Sequence, residues 1–356
     1  MSATVADPIL SLTQNPVFFN RNRVFRVYKG GKLFHDFFGD EAVDGNYPEE
    51  WIASTVRALN KDCRDEREGL SIVRGTETPL ADLMRKFPSE MTGGKPFDVL
   101  VKVLDSAVRL PAQAHPDKAF SRTHFKSEHG KTEMWLVLAT RPGANIYFGF
   151  KEGTTRADLE AAVQDGEKDS AAFTRLLQEF PAKAGDVWLI PAKAAHAIGA
   201  GCLILEVQEP TDFTIQPERW CDTYRLSEQE MYLGLAPETA LDCFDLSLAG
   251  VAKASAWKKS PVIAVRNGAH LRESLITHQD TPCFAVARHT LGDGECRIKG
   301  PAVFVVTEGN GTVEHREQIF DLKKGDSFFL PQALGEVTVR STASLQWIEC
   351  LPPKGE

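Results

Sequence analysis

Two distant segments of the chain follow one plan. "PAKAGDVWLIPAKAAHAI" (181–198) and "FDLKKGDSFFLPQALGEVTV" (320–339) each hold Gly-Asp, four largely apolar residues and then proline. Gly185 and Gly325 stand six positions before Pro191 and Pro331. Gly-Asp suits a tight turn and the apolar run fills a buried strand. Proline then ends that strand, because it cannot donate to a ladder. Upstream of the second copy, "PAVFVVTEGNGTVEH" reads as a strand, a turn at residues 309–311 and another strand. The repeat predicts two related β-barrels. Five residues past the proline the first copy has His196 and the second Glu336, so a metal held by the first barrel is not expected in the second.

The remaining segments fit around this plan. "VFRVYKGGKLFHDFFG" reads as a hairpin about Gly30–Gly31, and "PLADLMRKFP" as a short helix ending before Pro88. Strands follow in "FDVLVKVL", "RLPAQAH", "EMWLVLAT" and "NIYFGF". "TTRADLEAAVQDGEKDSAAFTRLLQEF" (154–180) changes to a spacing of three and four, with a break near Gly166, which is helical. The expected fold is therefore mainly β, two jelly-roll barrels with a helical insertion at about residues 154–180. Residues 1–225 would form the catalytic, metal-binding domain, and residues 226–356 a helical connector and a second, metal-free barrel.

Charge and cysteine content narrow the partners. With 41 Lys and Arg against 49 Asp and Glu, the net charge of −8 speaks against nucleic acid or an anionic membrane surface. It leaves room for an anionic small ligand bound by a local cluster of cations. The start, "MSATVADPILSLTQNPVFF", lacks the basic and apolar order of a signal peptide. Seven cysteines, odd in number and never Cys-x-x-Cys, read as reduced packing residues of a cytoplasmic protein. Oligomeric state is left open.

The polar residues that interrupt the strands carry the chemistry. In "LPAQAHPDKAF", Gln113 and His115 are two apart and face the same side of a strand that Pro116 closes. Glu133 opens the apolar strand of "EHGKTEMWLVL", with Lys131 two residues earlier, and His196 begins a returning strand. Gln113, His115, Glu133 and His196 would offer two imidazole nitrogens and two oxygens, a set suited to a divalent first-row metal. Each of these residues alone also fits a hydrogen-bonded core or rim position.

The Gly-x5-Pro pattern ending in His resembles a metal motif of the cupin superfamily, with Lys193 where glycine is usual. More closely, "LPAQAHPDKAF", "HGKTEMWLVL", "PAKAAHAIGAG" and "LEVQEPTDFT", with "YPEEWIAS" nearer the start, resemble the class I mannose-6-phosphate isomerases of the short bacterial form. The resemblance implies that Gln113, His115, Glu133 and His196 bind zinc or a similar divalent ion. It also implies aldose–ketose isomerisation of a sugar phosphate, with Lys131 and Glu209 as candidate catalytic groups. After "QEPTDFT" the family continues Tyr-Arg, whereas this chain has Ile215 and Gln216; Arg219 is the candidate replacement. An isomerase for a different sugar or sugar phosphate, or a non-catalytic carbohydrate- or metal-binding cupin, are the alternative readings.

Overall fold

The first ten strands are β1 (Val17–Phe18), β2 (Arg23–Val24), β3 (Glu49–Ile52), β4 (Leu100–Asp105), β5 (Glu133–Thr140), β6 (Asn145–Phe150), β7 (Leu177–Pro181), β8 (Val187–Ile190), β9 (His196–Ile198) and β10 (Cys202–Gln208). The computed structural model describes residues 9–60 and 65–354, so Cys63 and the first eight residues read above lie outside the described residues. A short ribbon, β11 (Trp220–Cys221) and β12 (Tyr224–Arg225), leads to β13 (Lys258–Lys259). The remaining strands are β14 (Val262–Asn267), β15 (His270–Ile276), β16 (Ala285–Leu291), β17 (Gly294–Lys299), β18 (Ala302–His315), β19 (Gln318–Lys323), β20 (Ser327–Leu330), β21 (Glu336–Ser341) and β22 (Leu345–Leu351).

These strands make two large sheets. One runs β13-β8-β5-β10-β4-β3-β2, and a smaller sheet, β7-β6-β9, accompanies it. The other runs β1-β20-β18-β22-β16-β15-β14, joined by β17, β19 and β21. The chain is mainly β, as expected. Each large sheet also takes one strand from the far part of the chain: β1 pairs with β20, and β13 with β8.

Strand periodicity explains the layering. Along β5, Trp135 and Val137 enter one core with Leu104, Trp188 and Ile204. Met134 and Leu136 enter a second core, shared with Val286, Val305, Phe329 and Ile348 of the other sheet. A third core lies on that sheet's far face, around Phe304, Phe328 and Trp347. Strands buried on both faces read as nearly unbroken apolar runs, which is why "LVKVLD", "EMWLVLAT" and "CLILEVQ" stand out. Lys102, Glu133, Glu206 and Gln208 interrupt them on one shared face, since Lys102 and Trp135 both oppose Glu206, and Glu133 opposes Gln208.

The repeat reappears bond for bond. Gly185 and Gly325 both take left-handed backbone, at φ 90° and 84°. Gly185 N–H donates to Val137 O at 2.8 Å and Asp186 N–H to Lys183 O at 3.0 Å. In the second copy Gly325 donates to Val306 O at 3.0 Å and Asp326 to Lys323 O at 2.9 Å.

Several local expectations are corrected. The segment about Gly30–Gly31 is no hairpin: β2 pairs with β3, and residues Phe34–Phe38 form helix α1. The glycine serves a close approach instead, because a Cβ on Gly30 would overlap the Asp105 carbonyl. Asp105 Oδ2 then accepts from Gly31 N–H and Leu33 N–H at 2.8 and 2.9 Å. "PLADLMRKFP" does form a short helix before Pro88, α2 (Leu80–Lys86), as expected, and Pro88 opens a further helix, α3 (Pro88–Thr92). The stretch 302–315 is one bent strand without a turn. A bulge at residues 306–308 and Gly309, at φ 75°, carry β18 from the ladder with β20 and β22 into that with β19 and β21. In the insertion, α5 (Arg156–Asp165) ends at Gly166 as expected, but Leu177–Pro181 is strand, paired with β6. Six cysteines are free among the described residues, five of them buried. No helix among those residues is long and apolar enough to cross a membrane.

Candidate metal centre

Backbone pairing brings the candidates together. Gln113 and His196 form an antiparallel bridge, N–H to O at 2.8 and 2.9 Å, so their side chains project to the same face. His115 follows two residues on, and its carbonyl accepts from Lys193 N–H at 2.7 Å. Lys193, standing where the resembling motif has glycine, holds left-handed backbone at φ 71°. Beyond Pro116, Asp117 caps α4 (Lys118–Phe125) by accepting from Phe120 N–H at 2.7 Å. Glu133 enters from β5, whose neighbours β8 and β10 fix its height.

His115, Glu133 and His196 are all buried, and one ligand atom from each lies within 4.8 Å of the others. His115 Nδ1 hydrogen-bonds Phe213 O at 2.8 Å and His196 Nδ1 hydrogen-bonds Ala194 O at 2.8 Å. With Nδ1 the donor in both rings, each Nε2 carries a lone pair into the site. Burial, then the Lys131 charge, pushes the His115 imidazole down to about 3, and burial lowers His196. Burial works to raise the Glu133 carboxyl, but Lys131 and the facing imidazoles outweigh it and hold it well below the usual carboxylate range.

Three electron-rich groups therefore face one another. Glu133 Oε2 is 3.2 Å from His115 Nε2, and Glu133 Oε1 is 3.4 Å from His196 Nε2. Lys131 Nζ lies at the edge, 2.8 Å from His115 Nε2 and 3.0 Å from Glu133 Oε2. Both Glu133 oxygens and His196 Nε2 nevertheless lack an aligned hydrogen-bond partner. Such groups repel unless a cation lies among them, and Lys131 serves only one side. The donor set fits a divalent ion.

The other sequence candidates fall outside this triangle. Glu209 accepts from Gly130 N–H and Thr132 N–H at 3.3 and 2.9 Å, and Lys118 is 3.6 Å away. Its carboxylate thus pins the loop that carries Lys131. Arg219 bonds Leu226 O at 3.2 Å and pairs with Glu167 at 3.3 Å; none of its polar contacts is with the cluster. Gln216 donates its side-chain amide to Glu230 O at 3.0 Å.

A buried ionic string escaped the motif reading. Lys102 lies 3.3 Å from Glu206 and 3.9 Å from Glu49. Glu49 also accepts from Tyr28, Arg26 and the Trp51 indole at 2.5, 2.8 and 2.6 Å, and Arg26 reaches Asp212 at 3.0 Å. The signal was present: Lys102 and Glu206 are charges inside otherwise apolar strand runs, and buried charges need partners. Burial opposes ionisation of Glu49, but Arg26 and Lys102 prevail and hold its carboxyl far below the usual range. A depressed folded-state pKa gives stability that is present above the unfolded value and lost as pH falls through the folded one. Urea unfolding of Glu49→Gln should accordingly show a smaller loss of stability below about pH 4 than wild type. Parallel pH profiles would deny Glu49 that role.

Comparison with known proteins points to one kind of enzyme. Residues 275–348 match the family described as the mannose-6-phosphate isomerase cupin domain. The chain is 29% identical over 344 residues to mannose-6-phosphate isomerase ManA of Bacillus subtilis, covering 93% of this chain and 98% of that protein. It is 28% identical over 327 residues to the Streptococcus mutans mannose-6-phosphate isomerase, covering 90% and 93%. Among solved structures, the Bacillus subtilis mannose 6-phosphate isomerase superposes with a TM-score of 0.74 at 23% identity, covering 94% and 99%. A variant of the phosphomannose isomerase from Salmonella typhimurium gives 0.68 at 16%, covering 96% and 100%. The family match falls in the C-terminal third, the alignments to the first two relatives take in the buried cluster as well, and both bear out the resemblance to the mannose-6-phosphate isomerases: the chain is an isomerase similar to them.

Proposed function

We propose that the chain interconverts mannose 6-phosphate and fructose 6-phosphate, with zinc or a similar divalent ion held by Gln113, His115, Glu133 and His196. The observation that carries this is the buried His115–Glu133–His196 set, with both Glu133 oxygens and His196 Nε2 lacking aligned partners. When bound, the ion would polarise the substrate oxygens at C1 and C2. The chain's own groups do the rest. Lys131, with its ammonium at the edge of the set, holds a substrate oxygen or carries the proton that moves between C1 and C2 through an enediol. Glu209 positions Lys131 by fixing the amides on either side of it.

Two cupin barrels, residues 1–225 and 226–356 with the second metal-free, are the organisation we read into the paired turns at Gly185 and Gly325. We place the activity in the cytoplasm, where free, buried cysteines are at home. The test is a coupled assay of metal-loaded protein against a panel of aldose phosphates and free aldoses. Mannose 6-phosphate should be the best substrate, and activity on none of the panel would sink the reading.

Gln216 favours one second reading, the same isomerisation on a different sugar, because its amide is already committed to Glu230 O. Arg219 is likewise committed to Glu167 and Leu226. Arg219→Ala is therefore expected to change kcat by less than about tenfold, whereas loss of an electrostatic stabiliser costs roughly 10²–10³-fold. Steady-state kinetics on the best substrate decides which applies.

A further inference from the structure

The His196 ring makes one hydrogen bond, Nδ1 to Ala194 O, and with Glu133 Oε1 only in its vicinity at 3.4 Å the plane of the ring is left to packing. The Trp135 indole packs against that ring in a T-shaped arrangement, with centroids 5.4 Å apart and planes inclined at 73°. Trp135 is itself aimed by a buried carboxylate: its Nε1–H donates to Glu206 Oε2 at 3.1 Å. The other Glu206 oxygen lies 3.3 Å from Lys102 Nζ, so Glu206 is anchored from behind. Strand register enforces the chain of contacts. Glu206 sits directly opposite both Trp135 and Lys102 across two ladders, on the face that carries Glu133. Trp135, His196 and Glu206 are all buried, so no solvent competes for the indole N–H.

We propose that Glu206 is a positioning residue for the metal: through the Trp135 indole it fixes the His196 ring so that Nε2 points at the position shared with His115 and Glu133. This rests on the metal reading above. The effect is assigned to the indole N–H acceptor, and since the Glu206 carboxyl also lies in the field of Glu133 as well as Lys102, Glu206→Gln separates the acceptor from the charge. Outer contacts of this kind change metal affinity by about 10–100-fold when removed.

The test is a competition titration of the whole chain with Co²⁺ against a chromophoric chelator, read together with the visible absorption of the Co²⁺-loaded protein. Glu206→Ala should bind Co²⁺ at least about tenfold more weakly and shift the absorption bands. Glu206→Gln keeps an acceptor oxygen for the indole and should stay within about threefold of wild type, with its spectrum. Trp135→Phe removes the N–H without touching Glu206 and should match Glu206→Ala, which covers the case of Glu206→Ala failing to fold. The double variant should be no weaker than either single variant, since both break one link. Wild-type affinity in Glu206→Ala and Trp135→Phe, equal loss in Glu206→Gln, or additive losses in the double variant would each overturn the proposal. A wild-type chain that takes up no Co²⁺ would instead overturn the metal reading beneath it.

Discussion

Stripping the protein with a chelator should drop isomerase turnover to the uncatalysed background, and adding Zn²⁺, Co²⁺ or Mn²⁺ should restore it to different degrees. Mixed nitrogen and oxygen donors select no single first-row ion strongly, which is why several should work and none equally. The same treatment should loosen the fold, because a ligand bound only by the native state adds RT ln(1 + [L]/Kd), about 2.7 kcal/mol at a hundredfold excess over Kd. Glu133 and His196 are the groups left facing each other when the ion goes. Activity and melting temperature are followed through one titration, with metal content by elemental analysis. Full turnover in protein shown to be metal-free excludes metal-assisted isomerisation.

Asp105→Ala should cost about 2–4 kcal/mol of stability, the loss expected when two buried amide donors are left unsatisfied. Asp105 is fully buried, receives Gly31 N–H and Leu33 N–H, and pairs with Arg141 at 2.6 Å. Alanine would leave two amides without an acceptor in the same place, while Arg141 keeps its bidentate pair with Asp44 at 2.7 and 2.8 Å. The close approach of Gly30 to the Asp105 backbone prevents the loop from collapsing into the gap. Asp105→Asn, which keeps one acceptor oxygen, should recover part of the loss. Denaturant midpoints measure both variants, and a shift below about 1 kcal/mol in Asp105→Ala would remove this carboxylate from the account of the fold.

The mainly β class and the convergence of His115, Glu133 and His196 could be read in the chain because alternation and turn chemistry are local. Gly-Asp and proline mark strand limits whatever the partner strand is, and the two copies confirm each other. The hairpin expected at Gly30–Gly31 failed for a non-local reason: those glycines answer to Asp105, some seventy residues on. The Gly309–Gly311 stretch misled in the same way, since a glycine serves a bend between two ladders as well as a turn within one. Lys102 and Glu206 were missed because an isolated charge in an apolar run shows no partner until the strands are in register. Arg219 looked available because Glu167, fifty-two positions earlier, gives no sign in the sequence that it will take up the guanidinium.

The placement of β1 in the second large sheet bears on how the chain is made. Val17 and Phe18 pair with Phe329 and Phe328, so this segment waits for one synthesised about 310 residues later. At about 5–20 residues per second, that wait lasts on the order of tens of seconds. Throughout it, two apolar residues destined for a sheet have no ladder to join. Late closure of so long a loop also slows the final step, because its entropy is lost before the contact repays it. A released N-terminal half can therefore bury its first core, yet it carries β1 as an unpaired strand and lacks β13. Each half is born needing a strand that the other supplies.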